Sequence, residues 1–206
     1  MPFEKESYVE LPKLYVLCQV SDISNIYFKQ LTESSVKYGL VITPFSSDPQ
    51  AFIVNFIMDK LATDIILYID GYNTLFNGDK TQLITQYRWF QEQYGDKAVF
   101  SAEKTCCIKG YTPDQFPKTP FEYRYLHSEA FISSVSALRR ILHSDEFNPQ
   151  FFTRLYLDAH ILLDTHNLIF NKVYTDDVEQ HGKAWFNKIT KSYPLILITE
   201  QHTKHS

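Results

Sequence analysis

Two hydrophobic regimes alternate along this chain of 206 residues. Residues 14–20 (LYVLCQV) and 64–70 (DIILYID) are apolar at nearly every position. Such runs predict strands buried on both faces, as in a parallel sheet. Residues 40–44, 98–102, 168–173 and 194–198 predict further strands. Between them the apolar positions recur at helical spacing. Helices are expected over 25–38, with Gly39 as C-cap, and over 51–62, where Phe52, Phe56, Met58 and Leu61 recur. Three more are expected over 79–94, 133–142 (Arg139 and Arg140 on the outer face) and 150–157. Residues 126–131 read as a short strand or a turn. Residues 1–12 read as an irregular lead-in, and 103–120 as a long loop broken by Pro113, Pro117 and Pro120. Strands alternating with helices predict a single α/β domain over 1–206, its mostly parallel sheet covered by helices. In such sheets ligands sit outside the carboxyl ends of the strands. The positions just past Val20, Ile69, Ala102 and Ile198 are therefore the first candidates for a site.

Composition narrows the function classes. Tyr, Phe and Trp number 14, 16 and 2, so the core is expected to be built largely from rings. Six glycines argue against glycine-rich phosphate loops, and a net charge of −4 offers no general field for nucleic acid. Glu4, Glu6 and Glu10 interrupt the first twenty residues, so no signal peptide is read there. No run approaches the ~20 apolar residues that span a bilayer. Cys18, Cys106 and Cys107 cannot all pair, and there is no CxxC. Free thiols in a reducing cytoplasm are the expectation.

The sharpest chemistry follows the third predicted strand, in Asp70-Gly71-Tyr72-Asn73. A carboxylate at a strand's carboxyl end and an oxygen donor three residues on can share a hard divalent cation whose shell is completed by substrate phosphates. The plainer alternative is that Asp70 ends the strand and caps the turn, with Gly71 permitting a tight bend. Tyr72 suits either stacking on a base or packing the turn.

Five stretches in order carry a resemblance to a known family. The sequence Ile69-Asp70-Gly71-Tyr72-Asn73-Thr74-Leu75-Phe76 is similar to an apolar strand followed by D-S-Y-D-V-(I/L)-F. Ala98-Val99-Phe100-Ser101-Ala102-Glu103 is similar to V-V-F-S-A-E. Gln115-Phe116-Pro117 and residues 126–132 (LHSEAFI) resemble K-Y-P and L-(G/N)-S-G-G-F-I-G. Residues 151–158 (FFTRLYLD) resemble F-Y-T-K-(I/V)-(F/Y)-L-D. Leu163-Asp164 and Ile169-Phe170-Asn171 echo I-T-L-D-H-x-C-x-I-F-Q. These belong to the glycosyltransferase domain of procollagen lysyl hydroxylases and to the related collagen galactosyl- and glucosyltransferases, and the resemblance runs from about Leu14 to about Ile198. It implies a Rossmann-like nucleotide-diphosphosugar transferase (GT-A) fold, a UDP-sugar donor and Mn²⁺ held against the diphosphate. Asp70 matches the first metal carboxylate, and Asn73, a neutral and weaker ligand, stands for the second. Val20-Ser21-Asp22 matches V-A-T-E, which implies nucleotide contacts there and at Tyr72. Ser21 or Ser24 as a helix N-cap is the alternative for that loop.

The sequence also departs from the family. Ser128 is followed by Glu129 and Ala130, where paired glycines let the backbone approach donor or acceptor. Thr199 stands where a histidine ligand belongs, with Glu200 or His202 as substitutes. An acidic D-D-Q stretch is reduced to Phe147-Asn148-Pro149, with Asp145 and Glu146 nearby. The loop Ser46-Ser47-Asp48-Pro49-Gln50 lacks glycine. No nucleophile motif occurs. His160, His166 and His181 form no recognised pair, and Cys106-Cys107, Lys104 and Arg124 carry no clear role. The expectation is a glycosyltransferase moving a sugar from a UDP-sugar to an acceptor hydroxyl on a protein or glycan, with metal help. The alternative is the same fold, catalytically degenerate, kept as a binding module.

Overall fold

A computed structural model describes residues 12–142 and 146–199. Its main sheet takes strands from both halves of the chain. β1 (Leu14–Gln19), β2 (Ile42–Phe45) and β3 (Ile65–Asp70) run parallel, with β1 between the other two. β5 (Val99–Glu103) and β7 (Leu162–Leu163) run parallel to each other. Between the two groups lies β6 (Tyr125–Ser134), antiparallel to both β3 and β5. The order is β2-β1-β3-β6-β5-β7. The sheet is thus parallel apart from β6. The stretch expected as a short strand or turn is a ten-residue central strand, buried except at Ser128 and Glu129. His127, Ser128 and Glu129 break its apolar run, which is why periodicity hides it.

A smaller sheet stands beside the main one. β4 (Thr74–Phe76) pairs antiparallel with β11 (Ile196–Ile198), and β11 pairs parallel with β8 (Phe170–Lys172). The two late strands expected from the sequence are therefore real but belong to this sheet. β9 (Val178–His181) and β10 (Ala184–Asn187) form a hairpin across Gly182-Lys183, with Gly182 at φ 62°. A two-residue turn opening with left-handed Gly is a hairpin signal that the sequence reading passed over.

Strand periodicity builds two cores. Ile65, Leu67 and Ile69 face one side of β3, packed with Leu31 of α1 (Ile26–Lys37) and Leu83, Tyr87 and Phe90 of α3 (Lys80–Tyr94). Ile66 and Tyr68 face the other side. There they join Ile53 and Ile57 of α2 (Pro49–Ile57), Leu138 of α4 (Val135–Ile141), and Phe151 and Phe152 of α5 (Pro149–Leu157). Helix starts are fixed by polar caps. Asp79 and Gln82 form a reciprocal capping box on α3, Asp48 caps α2 through the Ala51 N–H, and Asn148 caps α5 through the Phe151 N–H. Arg139 leaves the outer face of α4 to donate to the carbonyls of Ile57, Met58 and Lys60 at 2.7, 3.2 and 3.1 Å, tying α4 to the carboxyl end of α2.

Candidate functional site

The parallel register sets Gln19 beside Asp70, so β1 and β3 end together. Gly71 follows, and its N–H donates to the Gln19 carbonyl at 2.9 Å. A Cβ there would lie 2.9 Å from that carbonyl oxygen and 2.9 Å from Val20 Cβ. Gly71 is therefore required for close approach of β1. Its φ lies outside the left-handed region, so the expected tight bend is not what demands it.

Asp70 Oδ1 accepts the N–H groups of Tyr72 (2.8 Å) and Asn73 (3.0 Å), which holds the turn and leaves Oδ2 uncommitted to either. Burial pushes the Asp70 carboxyl up, and these two N–H groups pull it back. Three residues on, Asn73 Oδ1 is buried and accepts no hydrogen bond. The Asn73 carbonyl accepts the Thr199 N–H at 2.7 Å. The end of β11 is thus delivered to the Asp70 turn, as the resemblance implies for the position of its histidine ligand, and the residue delivered is Thr199. Glu200, His202 and Asp145 lie outside the described residues.

The loop after β1 is joined to the same turn. Tyr72 Oη accepts the N–H groups of Ser21 (2.8 Å) and Asp22 (2.6 Å) and lies 2.8 Å from Ser21 Oγ. Val20 is buried, and its N–H donates to the Phe45 carbonyl. The cap of α1 is Asn25, which accepts the Tyr27 N–H, so neither Ser21 nor Ser24 is the N-cap.

Across from Asp70, β6 departs from regular pairing. Phe131 pairs with Phe100 and His127 with Ser101, so Ser128, Glu129 and Ala130 have no partner on β5. Such an irregularity re-aims side chains. Ala130 packs into the core, while the Glu129 side chain is 58% exposed at the rim of a cleft of about 390 Å³. Its carboxyl is pushed up by partial burial and by the Asp70 charge, against the pull of Lys172. Glu103, His127, Lys172 and Gln150 also line this cleft. Lys172 Nζ lies 2.7 Å from Glu103 Oε2. His127 Nε2 lies 3.5 Å from Glu129 Oε2. Burial, reinforced by Lys172, pushes His127 down to about 3, so its ring is neutral at physiological pH. The sequence reading did not single out His127 or Lys172. Glu103 was within reach of the strand-end rule, being the residue just past Ala102.

Other sequence candidates are committed to structure. Lys104 is held by Asp177 at 2.5 Å and Glu122 at 3.1 Å, and the Arg124 guanidinium covers the Tyr125 ring. Glu146 pairs with Arg154. Asn148 serves as the α5 cap where the family's acidic stretch would lie. Cys18 is buried, and burial pushes its thiol up to about 12.

A mostly parallel sheet with one reversed central strand, and a carboxylate turn at the ends of its first and third strands, defines the GT-A class of glycosyltransferase folds. A solved glycosyltransferase involved in the glycosylation of the major capsid of PBCV-1 aligns with 91% of this chain and 93% of its own, at TM-score 0.52 and 11% identity, a likeness of fold alone. The model of the PLOD GT domain family matches residues 55–206, and the chain belongs to that family. It is 29% identical over 158 residues to the multifunctional procollagen lysine hydroxylase and glycosyltransferase of Caenorhabditis elegans. It is 26% identical over 139 residues to an uncharacterized protein of Acanthamoeba polyphaga mimivirus. It is 27% identical over 120 residues to procollagen-lysine,2-oxoglutarate 5-dioxygenase 1 of Gallus gallus. These matches span 67%, 64% and 53% of this chain but only 21%, 30% and 16% of the relatives' own lengths. The chain is a glycosyltransferase-like protein. No helix among the described residues is long and apolar enough to cross a membrane.

Among the described residues no group of three or more His, Cys, Asp and Glu side chains is placed to hold a metal ion. The donors at the Asp70 turn still fit one kind of cation. Asp70 Oδ2 and the orphaned Asn73 Oδ1 are hard oxygen ligands on one short turn. Mg²⁺-like ions often bind through one or two carboxylates, with phosphates and water completing the shell. The turn suits a cation that arrives with a diphosphate better than one held by protein alone.

Proposed function

We propose that this protein transfers a sugar from a UDP-sugar to an acceptor hydroxyl on a protein or glycan, with Asp70 as the metal-binding carboxylate. The observation that carries the reading is the junction of two strand ends. The Ser21-Asp22 loop and the Asp70 turn meet through Tyr72, where a doubly wound sheet places its ligand. In this reading the Ser21-Asp22 loop and the Tyr72 ring take the uracil, and Asp70 and Asn73 face the diphosphate. A divalent ion such as Mn²⁺ would there neutralise charge on the departing UDP. Ser128, Glu129 and Ala130 border the sugar and the acceptor, beside the Glu103–Lys172 pair. The three free thiols suit a reducing, cytoplasmic setting.

One observation favours a second reading, a degenerate transferase fold that has lost the nucleotide and is kept as an interaction module for some other partner. Thr199, at the expected ligand position, brings a hydroxyl in place of an imidazole, and that hydroxyl donates to the Asn73 carbonyl at 3.3 Å. Calorimetric titration of UDP, with and without Mn²⁺, separates the readings. Metal-dependent binding that Asp70→Ala abolishes supports transfer and leads to a screen of UDP-sugars. Binding indifferent to both metal and Asp70 overturns the metal assignment. No binding at millimolar UDP leaves the degenerate reading.

A further inference from the structure

The contact between Tyr72 and the β1 loop has a second meaning. Ser21 and Asp22 are consecutive, and their N–H groups converge on one oxygen at 2.8 and 2.6 Å, with Ser21 Oγ 2.8 Å from the same atom. Successive N–H groups that converge in this way form a nest, a concavity complementary to a carbonyl or anionic oxygen. Here the oxygen is a phenol supplied by the chain itself. The nest does not depend on the phenol for its shape. Asp22 Oδ1 accepts the N–H and Oγ–H of Ser24 at 2.8 and 2.6 Å, the Asn25 N–H donates to the Asp22 carbonyl, and the Val20 N–H is fixed to Phe45. Ser21 and Asp22 are both exposed, so water can satisfy their N–H groups when the phenol leaves.

We propose that the Tyr72 hydroxyl is an internal surrogate for a carbonyl oxygen of the nucleotide's base, and that the base binds by displacing it while the Tyr72 ring stays at the site. Two oxygens cannot occupy one nest. In the free protein, molecules with an open nest are therefore a minority, and the apparent dissociation constant is raised in proportion. Diphosphate oxygens have their own anchor in the Asp70 turn, so the nest is assigned to the base. Tyr72 is then a brake on nucleotide affinity and a filter for bases that carry a carbonyl. The inference rests on the nucleotide-binding reading above and adds to it the atom that the base displaces and the group that opposes binding.

The test is titration of UDP and of ADP, whose base has no carbonyl, into wild type, Tyr72→Phe and Tyr72→Ala at saturating Mn²⁺. Tyr72→Phe removes only the competing oxygen. UDP is expected to bind it about tenfold more tightly, the worth of one or two ordinary hydrogen bonds, with ADP unchanged. Tyr72→Ala, which also removes the ring, falls below Tyr72→Phe for UDP. Equal or weaker UDP binding by Tyr72→Phe overturns the proposal, since the phenol would then support the loop. An equal gain for ADP transfers the nest to a phosphate and overturns the base assignment. No UDP binding by either protein overturns this proposal and the nucleotide reading together. UDP binding by Tyr72→Phe that is as tight in the Asp70→Ala background as without it sinks the metal assignment alone.

Discussion

Gly71 shows how one residue decides whether two strand ends can meet. It was legible as a turn glycine, but its reason lies in β1, whose backbone fills the space a Cβ would need. Sequence spacing does not contain that reason, because Gln19 and Gly71 are neighbours only after folding. Gly71→Ala is expected to cost about 1–3 kcal/mol through forced displacement of backbone. A domain of this size loses about 2–4 °C of thermal midpoint for each kcal/mol, which a melting curve reads directly. Asp70 was legible for a better reason. A carboxylate closing an apolar strand is conspicuous, and the structure gives it two N–H donors. What could not be read is that Asn73 keeps a buried, unpartnered oxygen, since that depends on the packing around the folded turn.

Elements were legible where one period ran unbroken. The helices and the strands 14–20 and 64–70 show this, with one exception: the helix expected over 51–62 ends at Ile57, and Met58 and Leu61, read as part of its apolar face, lie exposed beyond it. β6 was not legible, because its central positions are polar and its pairing with β5 is irregular there. A strand that must be buried at both ends and irregular in the middle follows no single period. Arg139 is the converse case. An arginine on the outer face of a helix reads as solvated, yet it donates to three carbonyls at the end of α2. Arg139→Met, which keeps the stem and removes the donors, is expected to destabilise by about 1 kcal/mol. Amide exchange should show the loss concentrated in the last turn of α2.

The whole molecule should respond to pH through groups with opposite signs. Asp164 is fully buried, and burial pushes it up to about 6, although the N–H groups of Leu168, Ile169 and Phe170 hold its ionised form. Its folded pKa exceeds the unfolded one, so the native state binds more protons between about 4 and 6. Its contribution to stability therefore grows as pH falls through that window. Asp96 is shifted the other way. Burial raises it, but Ser134, Gln91 and Arg140 outweigh that, so its contribution is lost only at lower pH, as it protonates. His127, held neutral by burial, opposes Asp164 over the same window, because the unfolded chain takes up its proton first. The Asp164 contribution is therefore read as a difference: the gap in denaturant midpoint between wild type and Asp164→Asn should widen as pH falls from about 6 to about 4. The variant should be less stable throughout, because an amide cannot accept three N–H bonds as well as a carboxylate. The α/β class at this scale was legible from alternation alone. The candidate site was legible only where motif and strand end coincide, at Asp70. His127, Lys172 and the Tyr72 nest arise from pairing across the sheet.

The position of β6 also governs how the molecule comes into being. Its two neighbours, β3 and β5, are made before it, yet neither touches the other in the finished sheet. Until residue 134 has been synthesised, each presents an open edge of apolar backbone, a template for the wrong partner. Nascent chains in which β6 is not yet available should associate with one another or with holdase chaperones more than those in which it is, where only the β7 edge of β5 stays open. Ribosome-bound fragments of the two kinds, compared by sedimentation, would show that change. The strand that carries the irregular segment would then also be the one that closes the gap between the two halves of the sheet.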